Sequence, residues 1–374
     1  MAKISFVMGP YRGGGPRNVY SLSNLISKHG YISEVDQFID SRYFNFLKEN
    51  SMKADHNGAI VKTPGFISTL TNATFELINR VPNAFITPLL PLSILSRAMS
   101  LKRYGDADVY VATDWGSVYP TKIIAENSKS KILYFVQAYE PQFSNDTIYK
   151  LLAKNTYKLP IVRVTQSMWL KSFLDREFGG TTHYIGFGLN EKFFLGKSEN
   201  TENVLFTIAR DSYNKGFDIF VKAVNSLWEK RKDFKIMIAG DKIAIDHNEI
   251  RFPYDFLGWI TDDKKLASIY QKAIFVHTGR CEALPMPVLE AMASGSSVVL
   301  NDINGNREFA IPFKNCLMSA LSDDQSLVQN IEFLLDNPTV RRKISEGGQL
   351  TANNYKWELV LQRFLNVLKM EFGL

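Results

Sequence analysis

Two glutamates eight positions apart are the strongest chemical signal in the sequence. Glu282 comes just before an apolar stretch that opens with Pro285 and Pro287, and Glu290 lies inside that stretch. Proline is tolerated at the start of a helix, where backbone amides have no partner within the helix. The spacing therefore predicts a helix that begins between the two carboxylates. A carboxylate just inside such a helix can accept hydrogen bonds from both hydroxyls of a ribose.

The segment around the start of that helix could also hold a sugar. Unpaired amides at a helix N-terminus attract anions, and the carboxylate of Glu282 can accept hydrogen bonds from sugar hydroxyls. The predicted donor-binding residues in this segment are Ala283, Leu284, Pro285, Leu289 and Glu290. Taken alone, such a carboxylate pair would more often be a solvated helix end, and the neighbouring motifs favour the functional interpretation.

A basic turn precedes these glutamates in the sequence. Arg210 and Lys215 follow a predicted strand at 204–209 and come before a predicted helix. Ligands of open α/β sheets bind at the carboxyl ends of strands. The two cations could converge there on a diphosphate, Arg210 as a planar fork and Lys215 as a point charge. The alternative is that both simply lie on a solvated surface turn.

A glycine-rich turn follows the first predicted strand. Three consecutive glycines at 13–15 open the first helical pattern, and they let the backbone approach a phosphate or a sugar without a side-chain clash. We therefore predict Gly14 and Gly15 as donor-binding residues. The turn matches neither G-x-G-x-x-G nor a Walker loop, so by itself it is not diagnostic.

Short apolar runs alternate with amphipathic stretches and must position these residues. The predicted strands lie at 4–8, 109–113, 131–137, 161–165, 204–209, 234–239, 256–257, 273–278 and 297–301. Runs that are apolar throughout are typical of parallel strands covered on both faces. The alternation predicts an α/β protein with doubly wound sheets and right-handed crossovers. The polar stretch at 197–203 is the best candidate for a linker between two domains.

The combined motifs resemble glycosyltransferase family 4, the retaining enzymes of the GT-B fold. The resemblance runs through nearly the whole chain and is densest after residue 200. It rests on the order and spacing of the glycine turn at 13–15, the segment 186–190, Arg210 with Lys215 and Gly216, the segments 239–240 and 257–259, the run 282–295, Asn304 and Gly305 with Glu308, and the segment 355–357.

This resemblance implies roles for the residues and an arrangement of domains. Glu290 would bind the nucleotide ribose, Glu282 would face the transferred sugar, and Arg210 with Lys215 would hold the diphosphate, which makes Arg210, Lys215 and Glu282 the predicted catalytic set. Two Rossmann-like domains would face each other across a cleft. The predicted divisions are an acceptor-binding domain at 1–196, a nucleotide-sugar-binding domain at 197–355, and a last helix at 356–374 that crosses back to the first domain.

One position departs from the family pattern. Many members carry a histidine where this chain has Gln137, and the pattern Phe-Val-Gln-x-Tyr-Glu that ends at Glu140 is similar to a subset of bacterial cell-surface enzymes, including rhamnosyltransferases. Asp114 and Trp115 end the preceding strand and could contact an acceptor, although an aspartate there more commonly caps a helix. The predicted acceptor-binding residues are Asp114, Trp115, Gln137 and Glu140.

The predicted function is retaining transfer of a sugar from a UDP-, GDP- or dTDP-linked donor to a glycan or lipid-linked acceptor, without a metal or another cofactor. The five histidines have no metal-ligand spacing, and His277 is expected to be a satisfied core residue. The alternatives are a nucleotide-sugar epimerase or glycan phosphorylase on the same fold, and a catalytically silent partner that binds nucleotide sugar and supports another transferase.

Composition limits the remaining possibilities. The 374 residues are 45% hydrophobic, and the two cysteines exclude a disulfide framework. Residues 1–198 contain 23 Lys and Arg against 15 Asp and Glu, so we expect an anionic partner there, such as a lipid-phosphate-linked acceptor or an acidic membrane surface, or else ordinary solubility charge. Nucleic acid is not an expected partner.

The expected location is the cytoplasm, with peripheral contact at the inner face of the cell membrane. The longest uncharged run in the middle of the chain, 81–96, contains three prolines and is shorter than the roughly 20 residues that a spanning helix requires. The surrounding segment, 64–104, is apolar with basic residues at its end. It could lie on a membrane interface, although helices packed on the sheet are the more common explanation for such a pattern.

Overall fold

The computed structural model describes residues 1–9, 14–37, 60–62, 94, 98, 101, 106–143, 147–196, 202–321 and 323–374. Most of the segment 64–104, together with Gly13 and the predicted linker at 197–203 except for its last two residues, lies outside the described residues. The chain divides into two compact units. The first contains Met1–Phe187 with Glu358–Leu374, and the second contains Gly188–Trp357.

The first unit is built on a parallel sheet. Its strands are β1 (Lys3–Met8), β2 (Ile32–Gln37), β3 (Ile60–Lys62), β4 (Val109–Ala112), β5 (Lys131–Val136), β6 (Val162–Thr165) and β7 (Thr182–Tyr184), in the spatial order β3-β2-β1-β4-β5-β6-β7. This unit includes the helices α1 (Gly14–Lys28), α2 (Trp115–Ser128), α3 (Thr147–Thr156) and α4 (Met168–Phe178). The strand order reverses between β1 and β4, which is where doubly wound sheets bind ligands.

The second unit repeats this plan. Its strands are β8 (Val204–Ala209), β9 (Lys235–Gly240), β10 (Asp255–Gly258), β11 (Ile274–His277), β12 (Ser297–Asn301) and β13 (Leu317–Ser319), in the order β10-β9-β8-β11-β12-β13. Its helices are α5 (Phe217–Lys230), α6 (Lys242–Asp246), α7 (Asp263–Lys272), α8 (Met286–Ala293), α9 (Asp324–Asp336) and α10 (Pro338–Ala352). Here the order reverses between β8 and β11. The predicted α/β class with doubly wound parallel sheets is confirmed.

The last helix, α11 (Trp357–Phe372), has an apolar face that packs in the first unit. The ring of Phe364 is completely buried and stacks on Phe6 of β1, with 6.1 Å between the ring centroids. Near the end of the helix, a side-chain oxygen of Glu371 lies 2.7 Å from Nε2 of His183 in β7. An apolar contact and a polar contact therefore hold this segment on the sheet.

The sequence pattern missed strand β2 because its buried face is polar. Glu34 and Asp36 are both buried. A side-chain oxygen of Asp36 accepts a hydrogen bond of 2.6 Å from the hydroxyl of Ser5, and Glu34 lies 3.4 Å from Nζ of Lys3. Lys3 and Ser5 both belong to β1, so these two contacts form only once the strands are paired. Such a strand lacks the apolar run that would have predicted it.

Among the described residues, no helix is both long enough and apolar enough to cross a membrane.

Candidate functional site

The carboxylate of Glu282 is held from both sides in the second unit. Nζ of Lys215 donates to its Oε2 over 2.8 Å, and Nε2 of His277 lies 2.9 Å from its Oε1. Only 9% of the Glu282 side chain is exposed. Burial by itself raises the pKa of this carboxyl group, but the positive charge of Lys215 and the hydrogen bond from His277 outweigh burial and lower the pKa to about 2. Glu282 is therefore an ionised acceptor at any physiological pH.

Two loops from adjacent strands bring Lys215 to Glu282. The loop after β8 ends at Gly216, whose carbonyl accepts a 2.8 Å hydrogen bond from the hydroxyl of Thr278, the first residue after β11. The carbonyl of Asn214 in turn accepts a 2.8 Å bond from the amide of Arg280. A Cβ atom at Gly216 would overlap the Thr278 carbonyl oxygen. The loops therefore interlock at the point where the strand order reverses.

Arg210 lies at the carboxyl end of β8, beside an aromatic ring. Its guanidinium is 4.2 Å from the ring centroid of Trp259, which follows β10 and is 58% exposed. Burial lowers the pKa of Arg210, whereas the nearby carboxylates of Asp241 and Glu282 raise it. Stacking covers the face of the guanidinium, and the N–H groups at its edge are the part that binds an anion.

Helix α8 begins at Met286, close to where the proline pattern predicts a helix start. Pro285 occupies the N-cap position and makes no side-chain cap hydrogen bond. Glu290 is buried within the helix, with 8% of its surface exposed. The predicted donor-binding residues Ala283, Leu284 and Leu289 are buried. The backbone carbonyls of Glu282 and Ala283 approach Gly305 so closely that a Cβ atom there would collide with them.

The structure therefore brings Arg210, Lys215 and Glu282 together at one edge of one sheet, and Glu290 lies on the helix that follows the Glu282 loop. Two neighbours were missed from the sequence. His277 was expected to be a satisfied core residue, and that expectation is wrong because it bonds to Glu282 and its Nδ1 is buried without a partner among the described residues. The sequence shows Trp259 as an aromatic residue after a short predicted strand, and nothing in the local pattern indicates its contact with Arg210.

The predicted acceptor residues lie at the corresponding edge of the first unit. Asp114 is the N-cap of α2, where its Oδ1 accepts from the amide of Ser117 over 3.0 Å, and its Oδ2 accepts from the amide of Gly9 over 2.7 Å. It is 4% exposed, and Trp115 is also 4% exposed. These contacts are the capping role that an aspartate commonly has at this position. Acceptor binding by Asp114 and Trp115 stays a prediction.

Gln137 and Gly15 are neighbours in the same region. A Cβ atom on Gly15, in the first turn of α1, would lie 3.5 Å from Oε1 of Gln137. The carbonyl of Gln137 accepts a 3.1 Å hydrogen bond from Nε2 of Gln166, whose Oε1 accepts a 3.1 Å bond from Nδ2 of Asn18. The ends of β5 and β6 and the start of α1 therefore surround a half-buried Gln137 side chain with amide groups. Gly14 is the first residue of α1.

Glu140 is a buried carboxyl group beside Asp114. Its Oε2 accepts hydrogen bonds from the amide of Trp115 over 2.9 Å and from the hydroxyl of Tyr134 over 2.7 Å. Burial and the nearby Asp114 raise its pKa, while the hydrogen bonds from Tyr134 and Trp115 lower it, and the result is a pKa of about 8. The folded protein therefore favours the neutral form of Glu140 at neutral pH.

Glu140→Gln is expected to stabilise the protein at high pH and to leave it unchanged near pH 4. Because the pKa of Glu140 rises from 4.5 unfolded to about 8 folded, its neutral form supports folding fully below about pH 4.5, and that support is lost as the pH rises through 8. At about 1.4 kcal/mol per pKa unit, the variant should gain on the order of 5 kcal/mol at pH 9. Urea unfolding at pH 4, 7 and 9 measures this, with the exposed Glu126→Gln as control. A stability difference independent of pH would contradict it.

Comparison with known proteins agrees with this geometry. Residues 190–351 match the family model described as Glycosyl transferases group 1. An uncharacterized glycosyltransferase of Haemophilus influenzae is 21% identical over 81% of this chain and 90% of its own length. The N,N'-diacetylbacillosaminyl-diphospho-undecaprenol alpha-1,3-N-acetylgalactosaminyltransferase of Campylobacter jejuni is 23% identical over 49% of this chain and 49% of its own. The chain spans about half the length of most curated relatives it matches.

The fold matches a solved structure over nearly its whole length. The crystal structure of Anabaena Alr3699/HepE in complex with UDP-glucose superposes with a TM-score of 0.75, at 16% identity, over 99% of this chain and 100% of that one. The predicted GT-B fold is thus confirmed, while membership of family 4 within the glycosyltransferases stays a prediction. Residues 190–351 are therefore similar to the family Glycosyl transferases group 1.

Proposed function

We propose that this chain transfers a sugar from a nucleotide-diphosphate donor to a hydroxyl group of a glycan or lipid-linked acceptor, with retention at the anomeric carbon and without a catalytic metal. The observation that carries the proposal is the placement of Lys215 and Arg210 around the ionised Glu282, where β8 and β11 diverge. Two cations and one buried carboxylate match a ligand that carries a diphosphate at one end and hydroxyl groups at the other.

The positive charges stabilise the leaving group. When the bond between the anomeric carbon and the diphosphate oxygen breaks, the electron pair stays with the diphosphate and its negative charge grows. Arg210 and Lys215 are already in place for that charge, and fixed groups of this kind usually contribute the largest part of catalysis. The acceptor oxygen forms the new bond from the face that the leaving group vacates, and its proton passes to the departing phosphate.

The carboxylates orient the donor. Glu290, buried in α8, would accept hydrogen bonds from the ribose hydroxyls. Glu282 would accept hydrogen bonds from hydroxyls of the transferred sugar, and its lowered pKa keeps it ionised for this purpose. Fixing the donor in one orientation shortens the approach of the acceptor and lowers the barrier.

We assign the acceptor to the edge of the first unit that contains Gln137 and Asn18. Their side-chain amides suit a ligand rich in hydroxyls. A lipid-phosphate-linked acceptor at the inner face of the membrane agrees with the excess of Lys and Arg in residues 1–198. The Campylobacter relative is named for a diphospho-undecaprenol acceptor, and the Anabaena structure was solved with UDP-glucose; both names support the classes of acceptor and donor proposed here.

The deciding experiment identifies the donor and then follows the sugar. Thermal unfolding is measured with UDP, GDP and dTDP and with their common sugar conjugates, because a ligand that binds the folded protein raises its stability, and a tighter ligand raises it more. The stabilising donor is then labelled in the sugar and incubated with and without lipid-linked and glycan acceptors. We expect labelled product only when an acceptor is present. A sugar isomerised without an acceptor would indicate an epimerase, and donor binding without any reaction would indicate a silent partner.

Transfer is expected to persist in 5 mM EDTA at about the untreated rate, within roughly two-fold. The reason is that Arg210 and Lys215 supply the positive charge that a divalent ion would otherwise supply beside the diphosphate. Initial rates before and after chelation, with added Mg²⁺ as the control, measure this. Loss of transfer that Mg²⁺ restores would contradict the proposed metal independence.

A further inference from the structure

The imidazole of His277 has one hydrogen bond among the described residues, and that bond goes to Glu282. Nε2 lies 2.9 Å from Oε1 of Glu282, and the exposed fractions of the two side chains are 10% and 9%. Nδ1 of the same ring is buried and has no hydrogen-bond partner in the part of the chain that the structure describes. A histidine that served only the core would bury its polar atoms with partners on both sides. The imidazole of His277 is instead oriented so that its Nε2 contacts the carboxylate of Glu282.

Gly279 provides the space for this contact. A Cβ atom at position 279 would lie 2.7 Å from Cε1 of His277 and 3.1 Å from Oε1 of Glu282. The backbone of Gly279 is not in the left-handed region, so other residues could adopt its conformation. Glycine is needed here because any side chain would push the imidazole away from the carboxylate.

The two partners of Glu282 differ in what a donor would do to them. Lys215 is 39% exposed and carries a mobile ammonium group, so an incoming diphosphate attracts it and weakens its bond to Oε2. The imidazole is buried, and in both its neutral Nε2–H form and its protonated form it can donate to Oε1. The contact on Oε1 therefore persists when the contact on Oε2 is shared with the ligand.

We propose that His277 is a positioning residue for the transfer reaction, which holds the carboxylate of Glu282 toward the sugar while Lys215 engages the diphosphate. This inference rests on the proposed function. A terminal carboxyl torsion is broad, and without the imidazole the group can rotate away from the sugar hydroxyls. A misplacement of about 1 Å in such a group can cost on the order of 10²-fold in rate.

The test compares three variants in the full chain. His277→Leu keeps a similar volume and removes the donor, His277→Gln places an amide N–H near the position of Nε2, and Gly279→Ala displaces the ring. We expect His277→Leu and Gly279→Ala to lower kcat/KM for the nucleotide sugar about 10- to 100-fold. We expect His277→Gln to keep most of the kcat/KM that His277→Leu loses. Affinities for UDP, GDP and dTDP should change by less than about two-fold, because these ligands lack the sugar that Glu282 holds.

A double-mutant cycle isolates the contact. If Gly279→Ala acts by displacing His277, it should have little further effect in the His277→Leu background, so the two losses should not add. Unchanged kcat/KM in His277→Leu, or an equal loss of nucleotide diphosphate affinity, would overturn the proposal. If His277→Leu fails to fold, the other two variants test the proposal. We then expect Gly279→Ala to lower kcat/KM and His277→Gln to transfer sugar at a near-normal rate. Absence of transfer by the unmodified chain would instead refute the proposed function.

Discussion

Replacing Lys215 with alanine is expected to lower kcat/KM for sugar transfer about 10²- to 10³-fold, the loss that typically follows removal of one group stabilising a developing negative charge. Lys215 donates to Oε2 of Glu282 over 2.8 Å, so its removal takes away both the charge beside the diphosphate and one of the two contacts that orient the carboxylate. Arg210→Ala should show a loss of the same order. Steady-state rates with the stabilising donor measure both effects.

Lys235→Ala is the matched control for this prediction. Lys235 is also paired with a carboxylate, Glu202 at 3.4 Å, but it lies at the start of β9 and is 74% exposed. Its removal should leave transfer unchanged, because exposed ion pairs contribute little and the start of a strand is the sheet edge opposite the proposed site. Thermal unfolding confirms that each variant is folded. Transfer by folded Lys215→Ala at the rate of the Lys235→Ala control would remove Lys215 from the mechanism.

Gly216→Ala is expected to destabilise the second unit by about 3 kcal/mol or more, near the upper range for a single substitution. Gly216 has a φ of 64°, which costs a residue with a Cβ atom about 1–2 kcal/mol. Its Cβ would also overlap the carbonyl oxygen of Thr278. To relieve the overlap, the loop after β8 must move away from the loop after β11, so Lys215 should separate from Glu282 and transfer should fall as well.

Gly258→Ala separates the two contributions. Gly258 has a φ of 63°, and a Cβ atom there would meet nothing within 4 Å. This variant should therefore lose only the conformational part, about 1–2 kcal/mol. Urea unfolding of both variants gives the difference, which is the cost of the overlap with Thr278. Equal destabilisation of the two variants would show that the loops do not interlock as described.

The two sides of the proposed reaction respond differently to pH. The pKa of Glu282 is lowered to about 2, so the carboxylate that we propose faces the sugar stays ionised across the physiological pH range. The pKa of Glu140 is raised to about 8, so the neutral form of this carboxyl group predominates near neutrality. The physical cause of the difference is the partner set: Glu282 has a cation beside it, whereas Glu140 has only neutral donors and the neighbouring Asp114.

Much of the fold followed from local sequence patterns. Apolar runs alternating with amphipathic stretches predicted strands close to β1, β4, β5, β6, β8, β9, β11 and β12, because strands buried on both faces need apolar side chains at nearly every position. Strand β2 was missed because its buried acidic side chains are paired with β1. Helix α10 was missed because its sequence contains two adjacent glycines and many polar residues, and its packing depends on the rest of the unit.

By itself, the sequence determined which residues stand at the carboxyl ends of strands, and therefore that Arg210, Lys215 and Glu282 lie at one edge of one sheet. Only the tertiary structure decided how these residues pair. Lys215 and Glu282 are 67 positions apart, and they meet because β8 and β11 are neighbours and the loop glycine lets the two turns interlock. The hydrogen bond from His277 and the stacking of Trp259 on Arg210 arise in the same way. Side-chain contacts between distant segments depend on strand order and loop packing, which local periodicity does not record.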